Sequence, residues 1–376
     1  MSLELNESQQ EGYDKILAFL VDPNQKYFIL SGGPGTGKSH MINYMMENLS
    51  KAHNTLSKVM GTAKYYGVAV TATTNSAVDN LNSDSHIGGV STIQSLLSLI
   101  VRDGSLIQRH PVTLRNSIVV IDEYTLIDHT LFKYIDEGTV KVILVGDADQ
   151  LLAVKGLERT IKYREPDHIL DIPMRTKSPD ILHTTKIFLD HVRGEEADDL
   201  DITGMSDVVA MDEDEFMSLI DDPDFSFAGS RIITHTNHTS IQINQAIRQA
   251  RGLPDHFVPY ERVVLNRYTQ VGKRGYKTDA EYTVVSYDDD GAYTVQDQWG
   301  IYHSMNTDKF DLRSMYCSTV YKAQGRSFDT IYIDLTGFPN NITRSTLTRA
   351  LYVGVSRARQ KVVFIGDLPE RVLEKL

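Results

Sequence analysis

The sequence predicts an α/β protein built from two parallel-sheet domains, with a small β hairpin inserted in the first and an all-β insertion in the second. Three observations carry this. Short apolar, β-branched runs ending in polar clusters alternate with helical stretches over the first 150 residues. The same alternation resumes from Arg231 to the C-terminal region. Between the two later blocks, residues 257–310 change character, to short strands punctuated by Asp and Gly.

Taken in order, Tyr27–Leu30 reads as a buried strand that runs into a glycine-rich turn, Ser31–Ser39. An amphipathic helix with Met41, Ile42, Met45, Met46 and Leu49 follows. Val68–Val70, Ser117–Ile121 and Val140–Val145 are three further apolar strands. Leu99–Gln108 reads as a hairpin around Asp103-Gly104, or as a helix running through Leu96–Val101. Arg231–Thr234 precedes a helix around Gln242–Gln249. Val263–Leu265, Tyr282–Val285, Tyr293–Gln296 and Gly300–Tyr302 form the β insertion, with a turn at Asp288–Gly291. Thr330–Leu335 and Lys361–Ile365 are strands separated by a helix over Arg344–Arg357.

Composition fits this plan. A chain of 376 residues suits two or three domains, and 41% hydrophobic with 23% charged residues describes an ordinary globular protein. The single cysteine, Cys317, can build neither a disulfide framework nor a cysteine zinc site. No apolar leader and no stretch of about 20 apolar residues is present, so a cytoplasmic protein without membrane contact is expected. The net charge of −12 is local. Gly194–Ser230 holds thirteen Asp and Glu and no Lys or Arg, which leaves the remainder at +1. The window is a solvated acidic face or a docking surface for a basic partner. Elsewhere the field need not repel phosphates.

Gly32, Gly33, Pro34, Gly35, Thr36, Gly37, Lys38 and Ser39 fit the pattern G-x-x-x-x-G-K-[ST]. Such a loop turns backbone N–H groups onto phosphates, at a helix N-terminus that adds positive potential. Lys38 then reaches the β- and γ-phosphates of ATP, and Ser39 ligates Mg2+. Asp122 and Glu123 end the apolar strand Val119–Ile121: Asp122 to hold Mg2+, Glu123 to orient and deprotonate water. Gln150, after the strand ending at Val145, can sense a γ-phosphate by hydrogen bonding without adding charge.

Together these motifs resemble the superfamily 1 helicases, most closely the 5′→3′ group of RecD-like and phage Dda-like enzymes. The resemblance covers nearly the whole chain, with motifs in family order. It implies RecA-like motor domains at 1–172 and at 173–256 with 311–376. It further implies an SH3-like insertion at 257–310 and a strand-separating pin at about 97–112. Leu5–Gln9 is similar to the N-terminal Q-type motif, which implies that Gln9 reads adenine. Thr71–Ala77 and Ser91–Ser95 look like DNA motifs, implicating Thr73, Asn75, Thr92 and Gln94. Met174-Arg175 matches the arginine of motif IV. Thr234–Asn237 resembles the start of the second motor, implicating Thr234 and Asn237. Ser318–Ser327 resembles motif V, implicating Thr319 and Lys322 on DNA and Gly325 at the nucleotide. Leu351–Arg359 resembles motif VI, with Arg357 as an arginine finger. If Arg175 and Arg357 come from the second domain, ATP hydrolysis requires domain closure and drives movement.

The expected activity is therefore an ATP-driven DNA helicase or translocase, monomeric, acting on single-stranded DNA and duplex junctions alongside replication or recombination proteins. Two other readings stay open: a P-loop ATPase switch or remodelling protein that binds no nucleic acid, and an RNA helicase of the same superfamily. For the pin, an aromatic tip would stack on a base, and none is present. Tyr65, Tyr66 and the tyrosine-rich insertion offer other stacking surfaces.

Overall fold

A computed structural model describes residues 4–61, 67–84, 89–102, 105–112, 114–150, 164–222, 225–272, 274–288 and 290–366. Tyr65, Tyr66 and the expected hairpin tip at Asp103-Gly104 lie outside the described residues. The chain divides into two compact units, 1–175 and 176–376.

The first unit runs α1 (Glu7–Val21), β1 (Tyr27–Gly32), α2 (Lys38–Met60), β2 (Gly67–Ala72), α3 (Asn75–Asp84), β3 (Ser91–Thr92) and α4 (Ile93–Leu96). It continues through β4 (Leu99–Arg102), β5 (Ser105–Gln108), β6 (Leu114–Asp122), α5 (His129–Gly138), β7 (Thr139–Gly146) and β8 (His168–Leu170). Six strands form one sheet in the order β3-β2-β6-β7-β1-β8, all pairings parallel. The apolar runs are continuous because both faces are covered. Successive residues point to opposite faces, so Phe28, Leu30, Ile118, Val120, Ile143 and Val145 enter one core with α1, α2 and α3. Ile29, Val119, Ile121, Val142 and Leu144 enter the other, with α5. Lys141 interrupts the apolar run of β7 for a reason: its buried ammonium donates to the carbonyls of Phe19 (3.0 Å), Asp22 and Gln25, where α1 ends.

The helix alternative at Leu96–Val101 is not taken. α4 stops at Leu96, and β4 and β5 pair antiparallel, Leu99 with Gln108 through Arg102 with Ser105.

The second unit holds α6 (Pro179–Arg193), β9 (Val208–Met211), α7 (Glu213–Asp221), β10 (Ser230–Thr234) and α8 (Asn237–Ala250). Seven short strands follow: β11 (Arg262–Leu265), β12 (Thr269–Val271), β13 (Arg274–Tyr276), β14 (Glu281–Tyr287), β15 (Ala292–Gln296), β16 (Tyr302–Asn306) and β17 (Leu312–Ser314). The unit then returns through β18 (Cys317–Thr319), α9 (Val320–Ala323), β19 (Phe328–Asp334), α10 (Arg344–Val355) and β20 (Ala358–Ile365). Its main sheet, β18-β10-β19-β20-β9, is parallel throughout. The inserted strands make an antiparallel sheet, β16-β15-β14-β11-β17, with β12-β13 as a separate hairpin. This module has its own core of Val263, Leu265, Tyr282, Val284, Tyr293, Val295, Met305 and Phe310. Part of the acidic window is helical: Asp212 caps α7 through a capping box with Glu215, and acids in its first turn complement the helix dipole. No helix among the described residues is long and apolar enough to cross a membrane.

Candidate functional site

In the first unit, β1 delivers the glycine-rich loop directly into α2. Gly35 and Gly37 have φ of +77° and +86°, a left-handed backbone that side chains resist. The loop is also crowded. A Cβ on Gly35 would lie 2.4 Å from that of Arg175, and one on Gly37 would lie 2.3 Å from Gln9 Nε2. Thr36 Oγ1 donates to the Gly33 carbonyl at 2.9 Å. Lys38 Nζ donates to the carbonyls of Gly32 (2.7 Å) and Gly33 (2.9 Å), so the ammonium sits inside the loop. Burial lowers the pKa of Lys38, against the opposing pull of Asp147, Glu123 and Asp122.

Those three acids close the site at the carboxyl ends of β6 and β7. Asp122 and Glu123 are both buried. Burial, and then the neighbouring Glu123, push the Asp122 carboxyl up to about 7. Asp122 Oδ1 accepts the Glu123 amide at 3.0 Å. Glu123 itself has φ +55°, a strained value for a non-glycine residue. Gln150 is buried, and its amide donates to Asp147 Oδ2 at 3.0 Å. Ser39 lies in the first turn of α2.

Gln9 is buried. It completes a capping box with Asn6, and its amide donates to the Gly37 carbonyl at 3.4 Å. Arg175 belongs to the first unit, not to the second. The Met174 amide donates to the Gly35 carbonyl at 2.6 Å, which ties this segment to the loop.

Thr73, Asn75, Thr92 and Gln94 gather where β2 and β3 end, with Ala72 paired to Thr92. Thr73 is buried. Its amide donates to the Asp122 carbonyl at 3.2 Å, and its hydroxyl to the Glu123 carbonyl at 3.0 Å. Thr92 caps α4 by accepting the Ser95 amide.

In the second unit, Thr234 and Thr319 are paired across β10 and β18, and both are buried. Exposed Asn237 and half-buried Lys322 line one cleft of about 560 Å³, together with Asn244, Arg248 and Ser318. Lys322 Nζ is 2.7 Å from Asp279 Oδ1 of the β module. Gly325 turns the motif V loop with φ +78°. Arg357 is 2% exposed at the end of α10. Its Nε donates to the Val353 carbonyl and its Nη2 to Ser356 Oγ, both at 3.1 Å.

Residues 18–155 match the AAA domain family, and residues 314–365 match the UvrD-like helicase C-terminal domain family. The chain therefore carries an AAA domain and a UvrD-like helicase C-terminal domain. No curated protein matches it by sequence. Its fold is that of solved Pif1 helicases. One, from Bacteroides in complex with ADP-AlF3 and single-stranded DNA, is 17% identical with a TM-score of 0.62, covering 98% of this chain and 94% of that one. A structure addressing unwinding of forked duplex DNA by two coordinating Pif1 helicases gives the same values. Pif1 from Candida albicans is 14% identical with a TM-score of 0.58, covering 98% and 96%.

The chain also contains charged groups that sequence patterns did not single out. Asp147 braces Gln150, and only its place after a strand hinted at it. Glu281 had no local signal at all. Its carboxylate accepts both Nη atoms of Arg231 at 3.1 Å and Arg262 Nη2 at 2.9 Å, and it pairs with Arg326. Burial pushes the Glu281 pKa up, but Arg231, Arg326 and Arg262 outweigh it and hold the group at about 2. A carboxyl depressed in the folded state stabilises above its unfolded pKa and loses that contribution as pH falls through the folded value. Wild-type stability is therefore expected to drop by about 3 kcal/mol between pH 4.5 and 2 from this group. Urea titrations over that range check it, and an equally steep acid loss in Glu281→Gln would exclude Glu281 as the source.

Proposed function

We propose that this chain is a superfamily 1 helicase that hydrolyses ATP at the loop around Lys38 and couples hydrolysis to 5′→3′ movement on single-stranded DNA and to unwinding at duplex junctions. The observation that supports this best is the Lys38 ammonium, seated on the Gly32 and Gly33 carbonyls and faced by Asp122, Glu123 and Asp147. A cation held among acids at a helix N-terminus is poised to exchange its carbonyl contacts for phosphate oxygens.

The residues suit Mg2+ as well. Among the described residues no group of three or more His, Cys, Asp or Glu could hold a metal unaided. Mg2+ in phosphoryl-transfer sites takes one or two protein oxygens, with phosphates and water filling the rest. The Ser39 hydroxyl and Asp122 carboxylate are such oxygens. Bound there, the ion would neutralise charge on the phosphates and favour ionised Asp122. Glu123 orients and deprotonates the attacking water, Gln150 senses the γ-phosphate, Gly33–Gly37 cradle the phosphates, and Gly325 and Gln9 contact the nucleotide. Arg357 supplies positive charge to the transferring group, and Arg175 does so from beside Gly35. Thr73, Asn75, Thr92 and Gln94, with Thr234, Asn237, Thr319 and Lys322, follow the DNA backbone. The inserted module is read as SH3-like and the β4–β5 hairpin as the pin. The protein acts as a cytoplasmic monomer, with replication or recombination proteins as partners.

Lys38→Ala is expected to lower turnover about 10²- to 10³-fold while the protein stays folded. Unwinding of 5′-tailed but not 3′-tailed duplexes tests polarity, and equal activity on both would remove it. No stimulation by DNA would remove the DNA helicase reading. Preference for RNA competitor would point to the RNA enzyme, and absence of salt-sensitive oligonucleotide binding to the switch.

A further inference from the structure

We propose that Glu281 is a positioning residue, the carboxylate through which the inserted β module fixes the motif V segment Thr319–Arg326. Glu281 opens β14 and is met from three directions. Arg231 comes from the start of β10, Arg262 from β11, and Arg326 from the end of the motif V loop. Arg231 is itself 1% exposed, and its guanidinium lies 4.9 Å from the centre of the Phe328 ring, where β19 begins.

A second set of contacts runs along the same seam. Arg326 Nη2 donates to the Asp279 carbonyl at 3.0 Å, and Lys322 pairs with the Asp279 carboxylate. The motif V segment is otherwise short: Thr319 pairs with Thr234, and Val320 and Ala323 are buried beneath it. α9 is four residues long, and the backbone bonds that close its turn are Gln324 N to Tyr321 O at 3.3 Å and Arg326 N to Ala323 O at 3.1 Å. A single helical turn does not persist without tertiary support. Arg326 reaches Glu281 with one terminal nitrogen and the Asp279 carbonyl with the other, and two contacts on one planar group supply direction as well as charge. The β module thus holds Lys322 and Gly325 in place.

Hydrogen exchange and turnover kinetics on the full chain test this. Arg326→Gln removes only the motif V arm and leaves Arg231 and Arg262 on Glu281, so it folds even where Glu281→Gln does not. The expected result is exchange at least about 10-fold faster over residues 319–326, with β10 within about twofold of wild type. The Michaelis constant for single-stranded DNA should rise about fivefold or more, through the loosened Lys322. Glu281→Asp should show a weaker form of the same pattern. The kinetic effect presupposes the DNA helicase reading; the exchange effect does not. Unchanged exchange over 319–326 in Arg326→Gln, or equal acceleration there and in β10, would overturn the role whatever the activity shows.

Discussion

Replacing Arg357 by alanine is expected to slow ATP turnover by about 10³- to 10⁵-fold while ATP binding persists. Phosphoryl transfer builds charge on the γ-phosphate oxygens, and a guanidinium offers a planar, permanently charged fork to receive it. Arg357 is prepared for such a task. Its Nε is fixed on the Val353 carbonyl and one terminal nitrogen on Ser356 Oγ, at the junction between α10 and β20. Two anchored nitrogens restrict the rotamers of a long side chain, so little freedom remains to be lost in the transition state. Arg357→Lys keeps the charge but loses the fork, and should recover only part of the rate. Single-turnover hydrolysis beside a fluorescent-nucleotide titration and a melting curve separates the chemical step from binding and folding. Normal turnover in the alanine variant would remove the finger assignment.

Glu123→Gln is expected to lower turnover about 10²- to 10⁴-fold, through loss of the general base. Unlike most active-site substitutions, it should strengthen nucleotide–metal binding. Glu123 is among the groups that push Asp122 up to about 7, so removing its charge lets Asp122 ionise more readily. The backbone should not move. The left-handed φ of Glu123 suits Gln no worse, and the Thr73 hydroxyl still meets a main-chain carbonyl. The diagnostic outcome is tighter Mg2+–ATP binding with slow hydrolysis. Weaker binding would mean that Glu123 serves mainly to hold the site's shape.

Much of the fold was legible because it rests on local patterns. Apolar runs at Tyr27–Leu30 and Ser117–Ile121 placed the strands, and the glycine pattern of Gly32–Ser39 marked the loop. Asp122 and Glu123 were visible as acids at the end of an apolar run. What escaped notice was long-range. Arg231 looks like a polar residue opening a strand, and Glu281 like another; nothing in either neighbourhood says that the two meet. Lys141 lies in the apolar run Val140–Val145, and its three carbonyl partners lie more than a hundred residues away along the chain. Arg175 was assigned to the wrong side because its motif is defined by order along the chain. Its position is instead decided by one backbone bond from Met174 to Gly35. Gln9 carries a recognisable motif, but only packing shows that its amide is engaged with Gly37.

The two bonds from Thr73 to the carbonyls of Asp122 and Glu123 leave no slack between the tip of β2 and the pair of acids beside it. A polymer that pressed on this tip would be felt directly by the main chain of Asp122 and Glu123. Linkage makes such influence mutual in binding: whatever factor an occupied phosphate pocket applies to grip on the strand, the strand applies to occupancy of the pocket.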